Sequence, residues 1–532
     1  EEAVNLDLDS LTSHCFICGS TGSGKSNTTY GLLERFIENK IPFLVIEPAK
    51  GEYRTAFGGL EQIHIFTTNP GIGQMLKINP FRFDPGIHIL EHLDRLIEIF
   101  NACWEMYAAM PAILKDAVEQ IYIRKGWDLL HSQYMRPGEP VYPTFADLMT
   151  VLPSIIQSSG YSSDTQGDYT GALVTRVKSL TNGISGEIFC DIYDIPDTVL
   201  FDEDTIVDVS RVGSSETKSL IMGILVLKLT EYRTANARGA NSGLRHITVM
   251  EEAHNLLKKA EPSSAGSSVV QKSVEMITSS IAEMRTYGEG FIIVDQSPTS
   301  VDIAAIKNTN TKIVMRLPEQ KDCEAVARAV SLSEDQTKEI AKLGMGVAVV
   351  MQNNWLEAVL TKIDKASDQY EKEMLLTEEE RGRRAEKERL MRGAVIDELL
   401  RQYRIDKRMD PEGLRAVIEG SGADAFKKRE MLWAVEGILR RLEDNMENYE
   451  QMGQFLLSVS GCQGMFDMLG LLLRDYKEED VKQWEEAASA LIPRYAAVSQ
   501  GSIRPLLLYM TYYLSSVKND SGINYDTIYE NL

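Results

Sequence analysis

Eight consecutive residues, Gly19-Ser20-Thr21-Gly22-Ser23-Gly24-Lys25-Ser26, have the types and spacing that suit a nucleoside triphosphate. They fit G-x-x-x-x-G-K-[ST], follow an apolar run at 14–18 and precede a helical pattern from Thr28 to Ile37, the strand–loop–helix context of a phosphate-binding loop. Glycines let the backbone amides face the phosphates, and the start of the following helix adds a dipole favourable to anions. Lys25 is expected at the β- and γ-phosphates and Ser26 at Mg²⁺. Gly19, Thr21, Gly22, Ser23, Gly24 and Asn27 complete the expected nucleotide-binding set. Hydrolysis also needs acids, and Glu251-Glu252 follows the apolar run Ile247-Thr248-Val249-Met250. The first acid would support Mg²⁺ through water and Glu252 would polarise the attacking water, on a strand expected to neighbour that of the phosphate loop.

The elements that must hold these groups alternate. Apolar runs at 14–18, 41–46, 63–66, 205–209, 246–250, 290–294, 312–315 and 347–351 read as strands. Helical patterns between many of them predict a mostly parallel sheet covered on both faces, a RecA-like α/β class. Residues 84–196 read as a helical insertion, with helices at Ile87–Phe100 and Pro111–Arg124. Lys258–Lys272 is Ser/Gly/Ala-rich and reads as a loop. The expected division is an ATPase domain over 1–365, a charged linker helix over 366–392 and an all-helical domain over 393–532.

Composition bounds the rest. The chain has 532 residues, 43% hydrophobic and 25% charged, which excludes a wholly disordered or fibrous protein. A net charge of −22 excludes a uniformly basic coat for nucleic acid or anionic membrane, while leaving room for a basic channel. Six cysteines without a regular framework predict reduced thiols and a cytoplasmic location. The longest apolar stretch, Leu220–Leu229, is too short for a membrane span and contains Lys228. The first residue is Glu1, not methionine, and a preceding segment is expected.

Four blocks in order carry a family resemblance: the phosphate loop, Ile46-Glu47-Pro48-Ala49-Lys50-Gly51-Glu52-Tyr53, Glu251-Glu252-Ala253-His254-Asn255 and Val294-Asp295-Gln296-Ser297-Pro298. Over about residues 1–365 the chain resembles the HerA/FtsK superfamily of ring translocases, nearest its HerA branch. The resemblance implies a homo-hexameric, DNA-dependent ATPase using ATP and Mg²⁺. It also implies a small β-barrel ahead of the phosphate loop and an effector partner, either a nuclease in end processing or a nuclease or NAD-consuming protein in antiphage defence. By position it makes Lys25 and Ser26 the nucleotide and Mg²⁺ residues, Glu252 the catalytic glutamate and Gln296 the γ-phosphate sensor. Glu47 falls where the family usually has an aspartate near the site, which makes it a further candidate catalytic acid. Arg285 is the candidate finger toward a neighbour's γ-phosphate, expected near the carboxyl-edge loops, with a surface arginine at a helix end as the alternative. Glu251 departs from the family's usual aspartate, which implies slow turnover. A secretion or conjugation ATPase of the same superfamily and a nucleotide-stabilised scaffold are the other readings.

Three further patterns read as structure. His88-Ile89-Leu90-Glu91-His92 has zinc-ligand spacing but no third ligand, and reads as an amphipathic helix. Cys15 and Cys18 lie three apart on a strand, where side chains alternate, and read as core. Met446, Met452, Met465 and Met468 read as helical core.

Overall fold

The computed structural model describes residues 3–517 except 61, 70, 105, 138–139, 192–193, 238, 240–241, 260–266, 353, 372–377, 407–409, 424–426, 430, 433, 436–448 and 461–480. The chain forms two compact units. One comprises Glu1–Leu76, Pro80–Asp116 and Ile195–Met374, and the other Lys77–Asn79, Ala117–Asp194 and Leu375–Leu532. The helical stretch 84–196 is thus shared between them.

The strands are β1 (Cys15–Cys18), β2 (Phe43–Glu47), β3 (His64–Thr67), β4 (Gln74–Met75), β5 (Trp127–Asp128), β6 (Gln133–Tyr134), β7 (Thr205–Asp208), β8 (His246–Met250), β9 (Glu289–Asp295), β10 (Thr311–Val314), β11 (Val347–Met351) and β12 (Val359–Lys362). In the first unit ten of them form one sheet in the order β12-β11-β10-β1-β9-β8-β2-β7-β3-β4. From β10 to β4 the pairs are parallel, and β11 and β12 run antiparallel at one edge. The strands β1, β2, β7, β8, β9 and β10 are buried along their whole length, which explains their near-continuous apolar sequence. Edge strand β12 carries an exposed Leu360 and was not legible as a strand.

Helices Ile89–Cys103, Ser215–Ala235 and Ser267–Glu283 pack on one another. The second is buried continuously from Ser219 to Glu231, so the apolar run inside it is core. Its Lys228 pairs with Asp197 at 3.6 Å. His92 is fully buried with Nδ1 2.9 Å from Glu231 Oε1, and His88 Nδ1 accepts from Leu90 N at the start of the helix Ile89–Cys103. Cys15 and Cys18 are buried free thiols. Of the expected loop Lys258–Lys272, residues 260–266 lie outside the described residues, and Ser267 already starts the Ser267–Glu283 helix.

The second unit holds helices Glu378–Asp406, Pro411–Gly420, Tyr449–Ser460, Val481–Tyr495 and Gln500–Val517 around its own core of Val395, Leu399, Phe455, Ile492, Leu506 and Met510. The first helix crosses 392/393 unbroken, changing from a charged, exposed start to an apolar, buried continuation at Met391–Leu400. Gly393 permits close approach there, since a Cβ would lie 2.2 Å from the Ala497 carbonyl oxygen. Met452 is core, while Met446, Met465 and Met468 lie outside the described residues.

At the amino edge of the sheet a polar cluster is sealed from water. Glu289 accepts from His246 Nδ1 at 2.7 Å, Thr248 Oγ1 at 2.8 Å and Arg233 Nε at 3.0 Å. Burial pushes its carboxyl up, but His246 and Arg233 outweigh burial and hold it below its ordinary value. Nearby, Phe291 N donates to His14 Nδ1 at 3.1 Å, and burial lowers the imidazole to about 4.

A histidine that is neutral when folded and titrates near 6.5 when unfolded adds stability above pH 6.5 that is lost as pH falls toward 4. His14 holds φ 64° and ψ 159°, a backbone strained for any residue with a Cβ, so asparagine adds no new backbone penalty relative to histidine while offering an acceptor oxygen in place of Nδ1. His14→Asn should therefore flatten the loss of urea stability between pH 6.5 and 4 by about 3 kcal/mol relative to wild type. Parallel pH curves for the two proteins would remove His14 from the acid sensitivity.

Candidate functional site

The phosphate loop leaves the carboxyl end of β1 and enters the helix Lys25–Glu38. Its shape is set by glycines. Gly22 and Gly24 have φ of +76° and +112°, and a Cβ on Gly19 would meet Ser23 Oγ at 2.6 Å. Two backbone bonds pin it from either side, Ser20 N to Arg316 O at 2.8 Å and Gly346 N to Ser23 O at 2.9 Å. Lys25 Nζ donates to the Gly19 carbonyl, folding the lysine over the loop. Burial lowers its pKa, opposed by the charges of Glu252 and Glu251. This cradle fits a polyphosphate.

The acids come from the same sheet edge. The strand carrying Glu251-Glu252, β8, does not adjoin β1 as expected, because β9 is inserted between them. That insertion brings Gln296, at the end of β9, between loop and acid. Thr21 Oγ1 donates to Gln296 Oε1 at 2.9 Å, and Gln296 Nε2 donates to Glu252 Oε1. Glu252 adopts φ 47° and ψ 52°, a left-handed conformation uncommon for glutamate, and its carbonyl is held by Asn255 N at 2.9 Å. On its far side lies His254, 3.5 Å from Glu252 Oε2 and 2.9 Å from Asp295 Oδ2. The hydrogen bond to Asp295 raises the His254 pKa. The three form a cluster whose ligand atoms lie within 4.8 Å of one another.

A cleft of about 230 Å³ collects Thr21, Gly22, Gly24, Lys25, Ser26, Asn27, Glu47, Glu251, Glu252 and Gln296 along its walls. Two members of the expected set have other duties. Ser23 is fully buried, with its hydroxyl toward the Met315 sulfur. Asn27 lines the cleft while its side chain donates to Asp364 O at 2.8 Å and accepts from Ala366 N at 2.9 Å. Glu47 also faces the cleft, yet both its oxygens are taken, by Glu52 N at 2.7 Å and Tyr53 N at 3.2 Å. It therefore caps the short helix Glu52–Phe57, and burial pushes its carboxyl up to about 8.

Glu52 and Tyr53, quoted in the sequence blocks but assigned no role, bring further groups to the site. Glu52 Oε2 is 3.4 Å from Ser26 Oγ, the expected Mg²⁺ ligand. The Tyr53 hydroxyl donates to Glu251 Oε1, whose carboxyl burial pushes up to about 7. Tyr53 is itself fixed by an edge-on contact with Tyr30, ring centroids 4.9 Å apart. Serine hydroxyl, carboxylates and space suit a hydrated Mg²⁺, which would bridge phosphate oxygens. Only the pairing of the two blocks across β2 and β8 reveals the Tyr53–Glu251 bond.

Arg285 corrects an expectation. It is exposed in the short helical turn Met284–Tyr287 before β9, so it lies at the amino edge of the sheet, next to His14. The cleft is at the carboxyl edge. The seven residues of β9 put roughly 20 Å between these edges, since a strand rises about 3.3 Å per residue.

Residues 1–229 match the family model of the central domain of helicase HerA. Over that stretch the chain is similar to the HerA/FtsK superfamily of P-loop ATPases. The DNA double-strand break repair helicase HerA of Sulfurisphaera tokodaii is 24% identical over 369 residues, which are 68% of this chain and 67% of that one. The HerA of Sulfolobus acidocaldarius is 25% identical over 74% of this chain and 73% of its own. VirB4 of Thermoanaerobacter pseudethanolicus superposes with a TM-score of 0.51 at 19% identity, covering 69% of this ATPase and 93% of VirB4, a likeness of fold. Among the described residues no helix is long and apolar enough to cross a membrane.

Tyr53→Phe removes the hydroxyl that holds Glu251. Supporting bonds of this kind typically carry about 10–100-fold in metal affinity or activity. The Mg²⁺ dependence of ATP hydrolysis should show that loss, while Mg²⁺-free nucleotide binding stays intact. Wild-type Mg²⁺ half-saturation and turnover would place Tyr53 outside the metal shell.

Proposed function

We propose that this ATPase is a homo-hexameric ring motor that hydrolyses ATP with Mg²⁺ to translocate or remodel double-stranded DNA together with an effector protein. The observation that carries hydrolysis is the hydrogen-bonded chain Thr21–Gln296–Glu252, which joins the phosphate loop to an acid at the end where Lys25 would hold the γ-phosphate. In this reading Glu252 accepts the proton of the attacking water. Gln296 sits between them as the group that registers the γ-phosphate. Ser26 and Glu251 would hold Mg²⁺, with Glu52 close enough to join them. Mg²⁺ would neutralise charge on the phosphates. Support for DNA as substrate is the likeness to relatives named as double-strand break repair helicases.

Double-stranded DNA should stimulate ATP turnover of the full chain. Lys25→Ala should abolish nucleotide binding, and Glu252→Gln should retain ATP without hydrolysing it. A turnover indifferent to DNA would reject DNA as the driver, and a fully active Lys25→Ala would reject the phosphate loop.

The placement of Arg285 favours service to a neighbouring subunit, because its own cleft is a sheet-length away. Arg285→Ala should bind ATP and hydrolyse it about 10³–10⁵-fold more slowly, the range for arginine fingers. Mixed with Lys25→Ala subunits, it should recover part of the activity, since some interfaces would then pair an intact lysine with an intact arginine. Subunit exchange without recovery would assign Arg285 a structural role.

A further inference from the structure

The cleft has two chemically distinct ends. Thr21, Gln296 and Glu252 mark the end where the γ-phosphate is attacked. At the other side, by Gly24 and Asn27, the cleft is lined by Met345, and Asn27 is itself held by Asp364 O and Ala366 N. We infer that Met345 is the platform on which the base of the bound nucleotide rests, an inference that builds on the ATP-binding reading above.

Three observations support this. Met345 lines the cleft yet is 77% exposed, so its side chain is presented to the space rather than packed into protein. Its backbone is tied to the phosphate loop by the Gly346 N to Ser23 O bond of 2.9 Å, and Ile363 N closes on Gly346 O at 2.8 Å. Gly24 lies directly beneath, where a Cβ would stand 3.3 Å from Gly346 N. The backbone that carries the thioether is thus held at a set distance from the phosphate cradle. Among the described residues lining the cleft, the other large side chain with an apolar body is Tyr53, which is buried with its hydroxyl on Glu251. A polarizable sulfur against a flat aromatic ring makes a favourable contact whatever the ring's exocyclic groups. The ligand class is therefore a nucleotide recognised by the face of its base.

The test compares a ligand that has a base with one that lacks it. Calorimetric titration of the full chain would measure affinity for ATP and for inorganic tripolyphosphate. Met345→Ser should weaken ATP roughly two- to tenfold, the range expected for a sulfur–aromatic contact, and leave tripolyphosphate unchanged. Met345→Leu should restore most of the ATP affinity by returning the apolar surface. Unchanged ATP affinity in Met345→Ser would overturn the inference, and so would an equal loss for both ligands. If the wild type bound neither ligand, the phosphate-loop reading itself would fall, and the inference with it.

Discussion

A phosphate loop must keep several backbone amides pointed inward with no ligand to hold them, and amide dipoles left to themselves turn toward water or their own carbonyls. Here the restraint comes from two backbone hydrogen bonds, Ser20 N to Arg316 O and Gly346 N to Ser23 O. Both partners lie late in the chain, beyond β10 and before β11, and β10 adjoins β1 in the sheet with β11 one strand further out. The loop is therefore shaped by strand order, and everything that acts on phosphate is measured from it. The lysine folds back on its carbonyl side, Thr21 reaches Gln296, and the turn carrying Met345 closes the other end.

The acids of the site are arranged by the same edge, and their surroundings separate their duties. Glu47 and Glu251 are both buried, and burial raises both carboxyls. Glu47 spends its oxygens on the amides of a short helix, and that helix carries Tyr53, whose hydroxyl bonds Glu251. Glu252 is half-buried and is joined to the loop through Gln296. One glutamate thus positions a tyrosine, the tyrosine positions a second glutamate, and a third is left facing the reaction space. A left-handed backbone at Glu252 is the local cost of turning it there.

The opposite edge of the sheet has the reverse character. Glu289, His246 and His14 are packed away from water, and Glu289 accepts from His246 and from the partly buried Arg233. Arg285 lies at this same edge, near His14, and is exposed. A parallel sheet separates its two edges by the length of its strands, which keeps Arg285 out of reach of its own cleft.

Much of this was legible in the order of residues. The phosphate loop, Glu251-Glu252 and Gln296 are local patterns, and each lies where a strand ends because strand ends are where loops can expose polar groups. The strand–helix alternation and the parallel sheet followed from apolar runs buried on both faces. What the sequence left open concerns distance between segments. It placed β8 next to β1, whereas β9 lies between them and makes the Gln296 bridge. It offered Glu47 as a catalytic acid, and the structure engages both its oxygens. It set Arg285 near the wrong sheet edge, and it drew a boundary through the middle of the helix Glu378–Asp406. Local pattern determines what a residue is able to do. Which partner occupies its hydrogen bonds is decided by strand order, because strands far apart in sequence meet only when the sheet is complete.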